Sequence, residues 1–563
     1  QEDLERAVER VGAGWHGIAR LVALGSKPAA PAELSRRSFL QLAGGGAAAV
    51  GLAACSSRPS REILPYANQP PELTPGVPQH YATALVEDGF ATGVLVAASE
   101  GRPTKIEGNP DHPASLGGTR AIEQAAVLQL FDPERARAIT DHGAPAAWTA
   151  IEAILDDAAA ARGEGLHLVL EPTTSPMVIE LLGRVRAALP AAKVAFWSPF
   201  SPRASLDGNR LAFGEPLQTQ CDLRAANVVV ALDADLAATH PMAPAYARQL
   251  ADGRRVVTAR SAMSRLYVAE PGYTATGVIA DHRLAVRGSQ IERVARELFA
   301  AVLGQSAMRG AATELPSAAR ARLASAPAAA ERAPWIAAAA ADLAAAAGHS
   351  IVVAGERQPP VVHAIAAALN AVLGNRAVSY TDPVVFEAGQ PSHDLAAVAR
   401  AIDGGQVKTL LVCGGNPAYT APAGLALARA LRKVERSVYL GLYANETARA
   451  CRFAVPTLHE LEQWGAARGF DGTLTPIQPL IEPLFAGRTV TDVLHRLLGD
   501  PARPARDRFV DAWHRLVPDA PLELALRRGC VAGSAAPARA VEVAWGALAP
   551  VIAAAGSREP ARL

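Results

Sequence analysis

From about residue 147 to residue 500 the chain alternates short apolar runs with longer amphipathic stretches. Residues 166–170, 194–197, 228–232, 256–259, 351–354, 409–413 and 438–442 are short, mostly continuous and rich in Val, Leu and Ile. Unbroken runs of this length read as parallel strands covered on both faces. The text between them carries helical periodicity. In one stretch Ser289 and Glu292 are spaced as a capping box, Ile291, Val294, Leu298 and Val302 form an apolar stripe, and Gly304 supplies a stop. Strand and helix in alternation predict an α/β fold of doubly wound parallel sheets. Residues 81–107 alternate weakly and hold turn signals at Asp88-Gly89 and Glu100-Gly101, which predicts a small N-terminal β-rich region.

These signals divide the chain into a leader (1–55), a β-rich region (56–145) and an α/β domain (146–304). An Ala-rich helical linker or insertion (305–348), a second α/β domain with a returning loop (349–500) and a helical tail (501–563) follow. Composition narrows the function. Half of the 563 residues are hydrophobic and 19% are charged, which excludes wholesale disorder. Lys and Arg number 55 against 54 Asp and Glu, so the basic excess of a nucleic-acid binder is missing. Five cysteines in a chain of this length exclude a disulfide scaffold.

The leader reads as an address. Ser35-Arg36-Arg37-Ser38-Phe39-Leu40 precedes a weakly apolar run, residues 41–54, that is too short for a membrane span and is broken by Gly44-Gly45-Gly46. Arg36 and Arg37 before such a run predict a twin-arginine export signal. Leu52-Ala53-Ala54-Cys55 looks like a lipobox, which would make Cys55 the acylated residue. The expected location is the periplasmic side of the inner membrane, with a lipid anchor.

Several motifs carry a resemblance. The segment Glu100-Gly101-Arg102-Pro103, continuing to Asn109-Pro110-Asp111-His112-Pro113, looks like the N-terminal segment of molybdopterin oxidoreductases. Gly414-Gly415-Asn416-Pro417 at a strand end is similar to their Gly-Gly-Asn-Pro turn, and Glu462 to Gln478 to their cofactor-flanking loop. A narrower match comes from Ile63-Leu64-Pro65-Tyr66, Leu211-Ala212-Phe213-Gly214-Glu215, Ala280-Asp281-His282-Arg283 and Glu460-Leu461-Glu462-Gln463-Trp464-Gly465. Together these resemble the B subunit of alternative complex III, a quinol-oxidising respiratory complex, over about residues 35–500.

What the resemblance implies can be checked residue by residue. Catalytic members carry a four-cysteine cluster site; here residues 79–98 and Leu116-Gly117-Gly118-Thr119 hold no Cys, so the thiolates a cluster needs are missing. Where catalytic members have a Gly-Ala-Asn-Pro type turn, this chain has Asp233-Ala234-Asp235-Leu236. Either both carboxylates would oppose a diphosphate, or Asp233 caps a helix and Asp235 faces solvent. Gly414, Gly415 and Asn416 keep the shape of a cradle and read as inherited architecture. Ser198, Ser201 and Ser205 are available by type as molybdenum ligands, but no spacing singles one out. Cys221, Cys413, Cys451 and Cys530 read as small buried hydrophobes. His240, His282, His363 and His459 show no metal spacing.

The expected protein is a subunit without catalytic residues, metal or cofactor of its own. It would scaffold an iron–sulfur ferredoxin-like domain or subunit, cytochrome c-type subunits and a polytopic quinol-binding membrane subunit. The alternatives are a true molybdopterin enzyme and the equivalent subunit of a periplasmic quinone reductase complex. The family's C-terminal β-barrel domain and cluster-bearing extension have no counterpart in the helical text after about residue 506. The expected interface is the loop holding Trp464, Arg468 and Phe470, followed by the Pro-rich run Pro476 to Pro483. The competing reading packs that loop on the chain's own sheet.

Overall fold

The computed structural model describes residues 73–554 apart from residues 201, 260, 309–315, 318–319, 321–328 and 386–394. Arg36, Arg37 and Cys55 lie outside the described residues.

The strands are β1 (Gln79–Glu87), β2 (Phe90–Ser99), β3 (Arg102–Gly108), β4 (Thr140–Asp141), β5 (Ala144–Pro145), β6 (Leu166–Leu170) and β7 (Lys193–Phe196). They continue with β8 (Gln218–Cys221), β9 (Val228–Leu232), β10 (Arg265–Glu270), β11 (His282–Ala285), β12 (Ser350–Ala354) and β13 (Val378–Thr381). The last are β14 (Thr409–Cys413), β15 (Arg436–Gly441), β16 (Phe453–Pro456), β17 (Gly465–Arg468), β18 (Leu474–Ile477) and β19 (Ala538–Arg539). Eight helices matter below: α1 (Ala121–Leu130), α2 (Trp148–Ala160), α3 (Pro176–Ala188), α4 (Ile291–Leu303), α5 (Ala333–Ala345), α6 (Val490–Leu497), α7 (Ala505–Leu516) and α8 (Trp545–Ala554).

β1, β2 and β3 form the antiparallel N-terminal sheet, turned at Asp88-Gly89 and Glu100-Gly101. A seven-stranded sheet runs β5-β4-β16-β15-β14-β6-β7, parallel from β16 to β7. A four-stranded parallel sheet runs β11-β10-β9-β12. The larger sheet shows why its strands are unbroken apolar runs. Leu166, Leu168 and Leu170 join Leu411, Cys413, Val438 and Leu440 in one core with α2, α3 and α6. The intervening Val169, Leu410, Val412 and Tyr439 join a second core with Leu395, Val398 and Ile402. Successive side chains point to opposite faces, and both faces are covered.

Four expectations need correction. Residues 256–259 are not a strand; Val256 and Val257 are exposed, and the ladder partner of β9 is β10. Leu266, Tyr267, Val268 and Ala269 are buried there, while Glu270 is tolerated because Arg283 donates to it at 2.6 Å. Second, Ser289 does not cap α4; Gln290 precedes the helix, and Glu292 pairs with Arg296. The stripe Ile291, Val294, Leu298 and Val302 is buried as expected. Third, the boundaries at 304 and 349 do not separate the two α/β units. β6 pairs with β14, more than two hundred residues later, and β7 pairs with β6, so the unit containing β9–β12 is inserted within the other. Fourth, α5 is not part of a linker: Ile336, Ala339, Ala340 and Leu343 are buried in the core beside β9. The tail folds back. Trp513 of α7 is fully buried, Leu548 and Ile552 of α8 join the core, and β19 pairs with β13.

Candidate functional site

In each parallel sheet the strand order reverses once. β9 is followed outward by β10 and β11, with β12 on its other side; β6 is followed outward by β7, with β14 on its other side. Open α/β sheets hold ligands at such reversals, beyond the carboxyl ends of the strands. The two crevices match in register. Leu232 lies opposite Ala354, and Leu170 lies opposite Cys413. The next residues are Asp233 beside Gly355 in one sheet and Glu171 beside Gly414 in the other. Each reversal therefore sets an acidic residue against a glycine turn.

The first crevice is closed. Asp233 has φ 55° and is 5% exposed. Its carboxylate accepts from Arg357 at 2.9 Å and from Gln358 at 2.8 Å. A side chain at Gly355 would collide with the Asp233 carbonyl, so the two turns touch backbone to backbone. Asp235 accepts from the Thr276 amide at 3.1 Å and its hydroxyl at 2.8 Å. Asp233 thus neither caps a helix nor opposes a vacant anion site, and Asp235 does not simply face solvent. The adjoining cavity measures about 40 Å³ and is lined by His240, Glu356 and His363 among others. Burial pushes Glu356 up to about 7, His240 down to about 3 and His363 down to about 4. Both histidines are neutral near pH 7, while Glu356 is about half ionised there. A cavity of this size holds a few waters, far below the several hundred Å³ of a cofactor site.

The second crevice is open, with a cavity of about 470 Å³. Gly414 (φ 87°) and Gly415 (φ 60°) are both left-handed, the conformation glycine adopts without strain. The turn is braced on three sides. Tyr439 donates to the Gly415 carbonyl at 2.6 Å, and Asn445 donates to the Tyr439 hydroxyl at 2.7 Å. The Asn416 amide nitrogen donates to Glu446 at 2.7 Å, while its oxygen accepts from the Thr447 hydroxyl at 2.8 Å. The Glu171 carboxylate lies over the turn: a side chain at Gly414 would collide with it, and the Gly415 N–H donates to it. Burial, then the charges of Asp88 and Glu460, push Glu171 up to about 7. A glycine turn of this kind can cradle an anion; here the chain's own carboxylate sits in it.

No known family profile matches the chain. It is 26% identical over 447 residues to the menaquinone reductase, molybdopterin-binding-like subunit of Nitratidesulfovibrio vulgaris, covering 72% of this chain and 63% of that protein. The chain thus spans less than two thirds of that relative's length. It is also 26% identical over 129 residues, 22% of this chain and 15% of the relative, to the NADPH-Fe(3+) oxidoreductase subunit alpha of Geobacter sulfurreducens. Acetylene hydratase from Pelobacter acetylenicus shares the fold, with a TM-score of 0.53 at 14% identity over 77% of this chain and 70% of that one.

The chain resembles a molybdopterin-binding-like subunit in sequence and a molybdopterin oxidoreductase-like protein in fold. In this molybdopterin oxidoreductase-like fold the residues present do not fit a pterin dinucleotide. One crevice is closed by Asp233 and Gly355, and Glu171 occupies the glycine turn of the other. Nor do they fit a cluster. The hairpin of β1 and β2 has no thiol, and Gly108 packs directly on the Gly117-Gly118 backbone. Burial pushes the thiols of Cys221, Cys413 and Cys451 up to about 12 and raises that of Cys530. Thiols held protonated are poor ligands. Among the described residues no group of three or more His, Cys, Asp or Glu side chains could hold a metal ion.

The remaining candidates have internal roles. Ser198 donates to Asp88 at 3.0 Å, Ser205 donates to the Pro202 carbonyl at 2.9 Å, and Ser201 lies outside the described residues. His282 stacks on Tyr267, and His459 accepts from the Leu461 amide at 3.1 Å. The loop expected as an interface is tied to the chain itself. Phe470 is 4% exposed, between Phe90 and His240, and cannot anchor a partner. Arg468 donates to the Gly472 carbonyl at 2.7 Å and the Ser534 carbonyl at 3.2 Å. Trp464 packs on Phe509 of α7, with ring centroids 5.2 Å apart, and lines the open cavity. Pro476 and Ile477 belong to β18, and Gln478 donates to the Ala82 carbonyl at 2.6 Å, so the Pro-rich run crosses back over its own sheet.

Sequence reasoning missed Glu171 and Glu356, and it named Glu460 only within a motif, not as a residue of this cavity. The signal for Glu171 was present: it is the first residue after an apolar strand, as Asp233 is.

Proposed function

We propose that the chain is the cofactor-less, molybdopterin oxidoreductase-like subunit of a membrane-bound quinol-oxidising complex of the alternative complex III type. The observation that carries this reading is the Glu171 carboxylate in the Gly414-Gly415 turn. An anion held there by the chain's own backbone competes with any phosphate, and removing a pterin removes the chemistry the fold otherwise supports. What remains is a rigid double α/β body suited to docking. In this reading it positions iron–sulfur and cytochrome c-type partners beside a polytopic quinol-binding subunit, on the periplasmic side after twin-arginine export through Arg36 and Arg37. Cys55 supplies the lipid anchor. No helix among the described residues is long and apolar enough to cross a membrane, so stable membrane attachment would come from that anchor and from partners.

A second reading has a specific support. The relative named as a menaquinone reductase subunit aligns over 72% of this chain, which supports reading the same body as part of a complex that runs electrons toward quinone. Both readings are tested by purifying the tagged chain from host membranes. Co-purification of iron–sulfur, multihaem and polytopic subunits is expected, with quinol oxidation in the first reading and quinone reduction in the second. Recovery of the chain alone from the soluble fraction contradicts both. The double variant R36K/R37K should stay in the cytoplasm without partners.

A further inference from the structure

We propose that the cavity over the Gly414-Gly415 turn is a binding site for an organic cation, an alkylammonium or guanidinium group. The cavity lies beyond the carboxyl ends of β6, β14 and β15, where sheets of this topology hold ligands, and its volume of about 470 Å³ suits a small molecule or one long side chain. Its lining includes the carboxylates of Glu171 and Glu460 and the rings of Tyr439, Tyr443 and Trp464, but no Lys, Arg or His among the described residues.

Among the described residues neither carboxylate is paired with a Lys or Arg. Glu171 projects into the cavity and is exposed there, and among the described residues it accepts from the Gly415 N–H. Among the described residues Glu460 is approached by His459 Nδ1, 3.9 Å away, and that nitrogen already accepts from the Leu461 amide. The groups facing Glu171 are Asp88 from the β1–β2 turn, Glu460, Cys413 of β14 and Tyr439 of β15. None of them is positive; Arg120 offsets Asp88 and does not line the cavity. Two uncompensated carboxylates in a partly desolvated hollow attract positive charge strongly, and aromatic walls add cation–π attraction. The same field rejects phosphate. Glu171, raised to about 7, is therefore largely ionised at pH 8 and largely protonated at pH 6.

Two sources could supply the group: a free small cation, or a Lys or Arg side chain of a partner subunit seated in the cavity. Agmatine, which carries both head groups, is the probe. Isothermal titration of the purified chain at pH 8 should show saturable binding, lost or weakened at least tenfold in E171Q and in E460Q. Affinity should fall about tenfold from pH 8 to pH 6 in the native chain, following the ionised fraction of a group near 7, and stay nearly level in E171Q. Urea unfolding of both variants identifies any that fail to fold; E460Q serves if E171Q does not. A second titration uses the assembled complex. Binding to both preparations identifies a free cation, and binding to the isolated chain alone identifies a partner side chain. No binding to the isolated chain, binding indifferent to both substitutions, or binding of inorganic pyrophosphate in place of agmatine overturns the proposal. The isolated-chain result stands whether or not the scaffold reading survives.

Discussion

Among the described residues Arg135 and Glu462 form the most deeply buried ion pair, with side chains 2% and 0% exposed. The pair is bidentate, at 3.1 and 2.7 Å, and Arg135 also donates to the Leu130 carbonyl at 2.9 Å. Glu462 further accepts from the amides of His459 at 2.9 Å and Leu484 at 3.0 Å. One residue thus ties the segment after α1 to the whole 459–484 loop. Arg135→Met keeps much of the volume and leaves Glu462 buried without its cation, which should cost about 3–5 kcal/mol. The double variant R135M/E462Q removes the orphaned charge and should cost less than R135M alone, about 1–3 kcal/mol for the hydrogen bonds lost. The pH dependence sharpens the test. Burial raises the Glu462 pKa, but Arg135 and the two amides more than reverse this, so the folded value is lowered. Its contribution is present above the unfolded carboxyl value and lost as pH falls through the folded one. In R135M burial prevails, so the penalty should be largest near pH 8 and shrink toward pH 5 as Glu462 takes up a proton. Urea unfolding followed by tryptophan fluorescence at both pH values measures this, with the slope checked for constancy. A cost below about 1 kcal/mol, or one indifferent to pH, would refute the reasoning.

Other outcomes follow from the same geometry. Phe470→Ala should lower stability by about 3–5 kcal/mol in the isolated chain, because the ring is core rather than surface; unchanged urea unfolding would falsify that placement. Gly414→Ala should destabilise through both the left-handed backbone and collision with Glu171, and adding Glu171→Gly should recover only the second part, read from the same unfolding curves. Glu171 and Glu356 both have raised folded values near 7, so each lowers stability as pH rises from the unfolded carboxyl range toward 7. The double variant E171Q/E356Q should flatten that fall in a pH series of thermal midpoints; a slope equal to the native chain's contradicts it.

In the seven-stranded sheet β6, β7, β14 and β15 were legible because each buries both faces, and an unbroken apolar run can do little else; the short β4, β5 and β16 were not. β10 was not. Its apolar residues are flanked by Arg265 and Glu270, and only the fold brings Arg283 to neutralise the buried Glu270. Val256 and Val257 carried a strand's composition without a ladder partner, a distinction no local pattern contains. The interleaving of the two α/β units was hidden for the same reason: strand pairing between residues 166–170 and 409–413 leaves no mark on either segment. At the site, Gly414 and Gly415 could be read from type and order. That Glu171 would lie over them depends on the register of β6 against β14. The loop residues Arg468 and Phe470 looked like partner anchors because large side chains in a loop suit an interface; their partners proved to be Ser534, Phe90 and His240 of the same chain.

The central claim is that the chain's own carboxylates hold the two crevices where this fold would otherwise bind a pterin dinucleotide. Metal analysis and oxidative pterin release, performed on the intact complex isolated from its native membranes, test it most directly. The account predicts no molybdenum or tungsten attributable to this chain and no pterin fluorescence. One molybdenum per chain with a releasable pterin would contradict it.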